Sequence, residues 1–363
     1  MVAASEGSTA IVHEWIAARA GSEKVFERLA HVVPTADLFA LTAAAGVDLD
    51  TGRRTVSTTF LDRPVLRDRR EFLLPMMPFA WHRLRRGREY ERIISSTHAF
   101  AREFVDPTRT RVHLSYVHTP MRYAWERETD PRASGRMAGG AAAVLRSLDR
   151  RTVDHVTAFA ANSRLTQDRI RRHYGRHSVV IFPPVDTSFF GQLAWEPSGY
   201  LLAYGRFIDY KRFDLAIGVA NEVDMPLVVA GDGPQLAQLT QLSRTSRVPV
   251  SIVLAPSDTT LRHLLAGAAA LISPAVEDFG IVAVEAQAAG VPVVGPAAGG
   301  LLDSVEHMGS GVLVDGQSVD ALAAGVRMVR AEYLGGAACR ASAARFSVPR
   351  FDREIDDWIA SFA

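Results

Sequence analysis

The sequence predicts an α/β protein built from doubly wound parallel sheets in two domains. Three observations carry that prediction. Short apolar runs of strand length alternate with amphipathic helical segments along nearly the whole chain. The alternation pauses at Pro183-Pro184 and restarts at Tyr200. The chain has 363 residues, enough for two domains of ordinary size. Composition agrees: 48% apolar residues support two cores, and 22% charged residues is ordinary. A net charge of +1 gives no electrostatic footprint for nucleic acid, and no zinc-finger spacing or RNP-like motif occurs. The single cysteine, Cys339, excludes an internal disulfide and a thiolate metal cluster. Residues 1–9 lack a basic stretch followed by an apolar one, and no apolar run approaches the ~20 residues of a membrane span. A cytoplasmic protein is expected.

The first domain is expected over residues 1–190. Residues 8–13 read as a buried strand, 13–21 as a loop, and a helix starts near Ser22 with Val25, Leu29, Val32 and Val33 on one face. That places Gly21 at a helix N-terminus, where backbone N–H groups bind anions; a plain turn is the alternative. Further strands are expected at 36–42, 55–60, 93–96, 111–117 and 156–161, and helices at 140–154 and 164–174. Asn162-Ser163 supplies a cap for the last helix. His118 falls where a strand ends beside Pro120, and loops at carboxyl ends of parallel strands hold ligands in α/β proteins.

Residues 63–92 interrupt this pattern. Nine arginines (63, 67, 69, 70, 83, 85, 86, 88 and 92) flank the apolar stretch Phe72 to Trp81. Cations around an aromatic and apolar core suit an anionic membrane surface. A helix pair with a solvated basic face is the other reading. Two prolines exclude a span.

Pro183 to Ser198 reads as a linker, and the second domain is expected over 196–346. Its first strand ends at Gly205-Arg206, and a helix opens after Lys211. Two cations at that loop suit a diphosphate: Arg grips it bidentately and Lys acts as a point charge. Two surface cations are the alternative. Pro226 to Pro234 is a buried strand ending in a Gly-Asp-Gly-Pro turn, where Gly231 lets backbone approach a ligand. Residues 250–254, 269–273 and 291–294 are further strands. A nucleobase edge could meet the main chain at 255–257.

Glu277 to Glu285 then reads as a turn running into a helix. Phe279, Val282, Ala283 and Ala286 form an apolar stripe. Gly280 opens the helix start to a ligand, and the orphan N–H groups there suit a diphosphate. Were all of 277–285 helical, the two carboxylates would lie roughly 12 Å apart. Two solvated glutamates on an amphipathic helix is the bland reading. The last helix, about 347–363, carries Phe351, Ile355, Trp358, Ile359 and Phe362 on one stripe and is expected to pack back on the first domain.

Taken together, these residues resemble a family 4 retaining glycosyltransferase of the GT-B fold, the group 1 glycosyltransferases. Gly205-Arg206-x4-Lys211, Gly231-Asp-Gly-Pro234 and Glu277-x-Phe-Gly-x4-Glu285 stand in the family's order and spacing. In the first half, Val12-His13-Glu14-Trp15, Gly21-Ser22-Glu23-Lys24 and His118 to Trp125 resemble the branch of mannosyltransferases in polysaccharide and glycolipid assembly. The first loop departs from that branch: Ala20-Gly21-Ser22 stands where two adjacent glycines are usual.

The resemblance implies two Rossmann-like domains with a cleft between them and a nucleotide-sugar donor, GDP-mannose above others. It implies donor binding by Gly21, Gly205, Arg206, Lys211, Gly231, Phe279, Gly280, Ile281 and Glu285, with Glu285 on the ribose. His118, Arg206, Lys211 and Glu277 are the candidate catalytic residues. The acceptor implied is a glycan or a polyprenyl- or other lipid-linked sugar. No cofactor and no metal are implied, and no acidic pair or histidine cluster stands at ligand spacing. Front-face retention is expected, since no second carboxylate is placed as a nucleophile. A UDP-sugar enzyme, another GT-B activity such as an epimerase or phosphorylase, and a silent nucleotide-sugar-binding protein are the competing readings. A peripheral position at the inner face of a membrane would follow from the 63–92 segment.

Overall fold

The computed structural model describes residues 8–67, 74–126 and 139–362. It divides into two compact units: residues 1–184 with 351–363, and residues 185–350.

The first unit holds a seven-stranded parallel sheet. Its strands are β1 (Thr9–Ile16), β2 (Asp37–Ala43), β3 (Val56–Thr58), β4 (Arg92–Thr97), β5 (Val112–Val117), β6 (Ala158–Ala161) and β7 (Ser178–Val180). Their spatial order is β3-β2-β1-β4-β5-β6-β7. The strands are buried along most of their length because a parallel sheet is covered on both faces. Side chains alternate between those faces. Ala10 and Val12 join one core with Phe39, Trp81 and Phe104, while Ile11 and Ile16 join the other with Phe26 and Leu29.

The second unit repeats the plan with six parallel strands: β8 (Tyr200–Arg206), β9 (Leu227–Asp232), β10 (Val250–Leu254), β11 (Ala268–Ile272), β12 (Val293–Pro296) and β13 (Gly311–Val314). The order β10-β9-β8-β11-β12-β13 reverses at β8/β11, as the first sheet reverses at β1/β4. Both units are therefore doubly wound, Rossmann-like domains, and the expected α/β class holds. Helices Phe213–Val223 and Val319–Ala331 cover one face, with Phe213, Ile217, Leu322 and Val326 buried against Leu201, Val229 and Val294.

The final helix, Val348–Ala360, places Phe351, Ile355, Trp358 and Ile359 in the first unit's core beside Ile11 and Phe26. The Arg28 guanidinium clamps Asp352 from the same side. Helix Arg164–Tyr174 runs as read: the Ser163 hydroxyl accepts from the Thr166 amide at 3.1 Å, and Gly175 ends the helix at φ 67°.

Four sequence expectations change. The first strand runs on to Ile16, so His13 lies inside a strand rather than in a loop. The presumed linker is not one. Asp186 caps a short helix, Thr187–Phe190, and the Trp195 indole donates to the Ala268 carbonyl at 2.8 Å, so this stretch packs on the second unit. Residues 277–280 are not helical; the helix is Ile281–Ala289, so the axial estimate between Glu277 and Glu285 does not apply. It is also not amphipathic, since every residue from Ala283 to Ala289 is buried.

The fourth change concerns 63–92. Leu74, Met77, Ala80 and Trp81 are core residues, so most of the described part of the apolar stretch, residues 74–81, faces the protein. Phe79, Met76, Val65 and Phe60 remain exposed, and the Phe60 and Phe79 rings meet edge to face at 6.0 Å. Arg85 is spent on Asp106. Arg69, Arg70 and Phe72 lie outside the described residues. No helix among the described residues is long and apolar enough to cross a membrane.

Candidate active site

Where the strand order of a parallel sheet reverses, the loops leaving adjacent strands part to opposite faces and open a crevice at their carboxyl ends. In the first unit that point is β1/β4. β1 brings His13 and Glu14 there, β4 brings Ser96 and Thr97 with His98 after it, and His118 follows the end of β5.

Glu14 is fully buried. Its Oε1 accepts from Thr97 Oγ1 at 2.6 Å and from the amides of Ala99 and Ala101 at 2.8 and 2.9 Å. Oε2 accepts from the His98 amide at 3.1 Å and lies 3.3 Å from His98 Nδ1. Burial alone would raise this carboxyl. The nearby His98 and His13 and the bonds from Thr97 and Ala101 outweigh it and hold Glu14 below the usual carboxylate range. The carboxylate thus fixes the turn after β4 that carries His98.

His118 is half-buried. Its amide donates to the Thr97 carbonyl at 2.9 Å and its carbonyl accepts from Thr166 Oγ1 at 3.2 Å. Its Nε2 lies 2.8 Å from Ser96 Oγ. Gly21 opens helix Gly21–Val32. That helix abuts the same crevice, because Phe26 stacks on His13 with centroids 5.3 Å apart.

In the second unit the reversal is β8/β11. Gly205 has φ +140°, a conformation that favours glycine. A Cβ placed on it would lie 3.9 Å from Lys211 Nζ, so the lysine reaches back over the end of β8. The next residue, Arg206, is exposed. Lys211 Nζ pairs with Glu277 Oε1 at 2.6 Å, both side chains being less than a fifth exposed. Burial would lower the lysine, but the Glu277 charge outweighs it and raises Lys211 above its ordinary value.

The helix after Glu277 begins at Gly280, which has φ +84°. Phe279 is buried, Ile281 half-buried. Glu285 is 6% exposed and accepts from the Tyr204 hydroxyl at 3.0 Å. The structure therefore gathers Gly205, Lys211 and Glu277 in one place, with Gly280, Ile281 and Glu285 on the adjoining helix. Gly231 is explained differently. A Cβ there would come within 1.9 Å of the Gly205 carbonyl oxygen, so the neighbouring backbone itself demands glycine.

Sequence reasoning missed Ser96, Tyr204, Gly299 and Gly300. The last two hold the loop before the helix: the Gly300 amide donates to the Glu277 carbonyl at 2.8 Å. A Cβ on Gly300 would lie 2.2 Å from Phe279 Cα. Paired glycines signal a turn, but nothing local says what that turn packs on. Among the described residues, no three His, Cys, Asp or Glu side chains are grouped as metal ligands.

Residues 185–333 match the sequence profile of the family described as "Glycosyl transferases group 1". The match falls within the second unit and covers most of it. The chain is similar to a GDP-mannose-dependent alpha-(1-6)-phosphatidylinositol monomannoside mannosyltransferase of Mycobacterium tuberculosis, 30% identical over 210 residues, covering 50% of this chain and 54% of that protein. It is also similar to a D-inositol 3-phosphate glycosyltransferase of Geodermatophilus obscurus, 31% identical, covering 54% of this chain and 51% of that protein. The chain spans about half the length of these curated relatives. Among solved structures, sucrose-phosphate synthase from Thermosynechococcus elongatus superposes with TM-score 0.78 at 16% identity, covering 97% and 98% of the two chains. HepE of Anabaena in complex with UDP-glucose gives 0.71 at 18%, covering 97% and 99%. The fold is that of the GT-B glycosyltransferases.

The pH dependence of stability follows from the buried groups of the first unit. Burial lowers His13, against the pull of Glu23 and Glu14. Burial lowers His118 well below 6.5, and His13 and His98 add to it. Burial and the Arg102 charge push His113, in β5, down to about 3. These rings stay neutral in the folded chain while the unfolded chain protonates them below about pH 6.5. The unfolded state then binds more protons, so stability rises with pH and is lost as pH falls below about 6.5. Glu14 adds a second loss: its contribution is complete above about 4.5 and disappears as pH falls through its lower folded value. The thermal midpoint should therefore drop progressively from pH 7 to 5 and fall further below 4.5. Scanning calorimetry across that range checks it, and a flat profile from 7 to 5 contradicts neutral imidazoles.

Proposed function

We propose that the protein is a retaining hexosyltransferase that moves mannose from GDP-mannose to a glycan or lipid-linked acceptor, without a metal. The observation that carries this reading is the set at β8/β11: Arg206 exposed at the strand end, Lys211 beside Gly205 and paired with Glu277, and a glycine-opened helix leading to Glu285. The mannose assignment draws on the named relative from Mycobacterium tuberculosis.

In this reading the Arg206 guanidinium and the Lys211 ammonium neutralise the departing diphosphate, the main electrostatic contribution to rate. An ammonium has three N–H donors, so Lys211 can keep Glu277 and still reach phosphate oxygens. Glu277 and the backbone at Phe279, Gly280 and Ile281 hold the sugar. Glu285, already oriented by Tyr204, accepts from ribose hydroxyls. The leaving phosphate takes the acceptor's proton, so the new glycosidic bond forms on the face the diphosphate leaves.

The exposed Phe60, Met76 and Phe79, with the exposed Arg63, Arg83 and Arg86, support the finer proposal that the first unit rests on an anionic membrane surface.

Three measurements test these readings. GDP and GDP-mannose should raise the thermal midpoint without added metal, and UDP and ADP should not. Selective stabilisation by UDP would replace the donor, and no response to any nucleotide would leave a silent GT-B protein. Arg206→Ala, at an exposed position, should change stability by no more than about 0.5 kcal/mol while lowering kcat roughly 10²- to 10³-fold; near-normal turnover would remove its leaving-group role. Flotation with vesicles should show binding to anionic but not neutral lipid, weakened by Phe79→Ser. Equal flotation with both lipids, or none, would end the membrane proposal.

A further inference from the structure

Three imidazoles meet at the carboxyl ends of β1, β4 and β5. Ring centroids of His13, His98 and His118 lie 6.0, 6.1 and 6.1 Å apart. Ser96, fully buried, stands between two of them. Its Oγ is 3.0 Å from His13 Nδ1 and 2.8 Å from His118 Nε2. A hydroxyl has one hydrogen and donates to one partner at a time. The His13 ring decides which. Its Nδ1 also lies 3.2 Å from the Ser96 carbonyl oxygen, which can only accept. Nδ1 therefore carries a hydrogen and cannot accept from Ser96, and the serine proton goes to His118 Nε2.

We propose that Ser96 is a positioning residue whose hydroxyl donates to His118 Nε2, holding the ring as its Nδ1–H tautomer, so that Nδ1–H is the donor His118 offers to a substrate oxygen. The ligand half of this inference rests on the glycosyl-transfer reading; the tautomer does not. The surroundings agree. The His118 main chain is pinned at both its amide and its carbonyl, so ring rotation and proton placement are what the side chain has left to settle. Tyr116 closes one side at 5.3 Å between centroids. The nearest carboxylate in the cluster, Glu14, is engaged by Thr97, three backbone amides and His98. An unconstrained neutral imidazole prefers its hydrogen on Nε2, so the hydroxyl reverses the default. The consequence for chemistry is definite: His118 offers a fixed donor, not a general base at Nε2.

Long-range proton–nitrogen NMR on the full chain with ¹⁵N-histidine tests this without activity, the His118 signals being identified by their loss in His118→Gln. The wild type should show a protonated Nδ1 and a bare Nε2; an Nε2–H ring overturns the proposal. Ser96→Ala should return His118 toward Nε2–H and lower kcat with GDP-mannose about tenfold, the equivalent of one lost neutral hydrogen bond, with nucleotide affinity within about twofold. Ser96→Thr keeps the hydroxyl and should restore the tautomer. An alanine variant with wild-type tautomer and turnover also overturns the proposal. A wild type with the expected tautomer but no turnover of GDP-mannose or UDP-glucose would sink the sugar-transfer reading and leave the serine–histidine bond standing.

Discussion

The reversal of strand order in a parallel sheet is the constraint on which the rest depends. A right-handed crossover sends each helix to a face fixed by the direction in which the next strand is added. Where that direction changes, the two loops diverge and leave polar backbone ends without a covering helix. Both units meet this constraint in the same way, at β1/β4 and at β8/β11. The unusual side chains collect there: the imidazoles and buried Glu14 of the first unit, the Lys211–Glu277 pair and Glu285 of the second. The strand interiors are mainly aliphatic packing, with Ser95 and His113 bonded to each other between β4 and β5.

The two crevices differ in electrostatics. The second unit keeps its charge: a lysine raised by its carboxylate partner, an exposed arginine, and a helix start. The first unit suppresses charge. His13 and His118 are held toward their neutral forms because a cation there would be buried beside other imidazoles, and the Glu14 carboxylate is consumed in ordering a turn. Removing Glu14's hydrogen-bond donors would leave a buried anion uncompensated, a far larger loss than that of any single surface pair. The cage is therefore scaffold; of the imidazoles around it His13 is fully buried, while His118 keeps partial exposure.

Much of this was legible in the sequence, and the failures have common causes. Strand and helix identity followed from apolar periodicity, and the Gly205-Arg206, Lys211 and Glu277 to Glu285 motifs fell together because each sits at a strand end or helix start. Local pattern could not tell what a segment faces. The apolar run ending at Trp81 reads the same whether it meets lipid or core; Met77 and Trp81 took the core because their helix packs on Phe104. Proline-rich spacing around 183–198 looked like a linker, although Trp195 anchors it through a bond to a residue 73 positions away. Ser96 and Tyr204 had no local signal at all. Their partners His13 and Glu285 lie 83 and 81 residues distant, and only the sheet brings them together.

The glycines carry a related lesson about motifs. Gly231 reads as an opening for a ligand, yet its absent side chain makes room for the Gly205 carbonyl, and Gly300 makes room for Phe279. Each such glycine lets one stretch of main chain sit against another at the crevice rim. The benefit to binding is indirect. A loop fixed by backbone-to-backbone contact loses little freedom when a ligand arrives, so more of the interaction energy appears as affinity. Glu285 follows the same logic through a side chain: the Tyr204 hydroxyl orients the carboxylate in advance. Lys211, held by Glu277, is the group in this half whose partner must share it with an incoming anion. In the proposed reading, that exchange of one carboxylate contact for phosphate contacts is where binding is coupled to the sugar, because Glu277 is the lysine's partner and the residue assigned to the sugar.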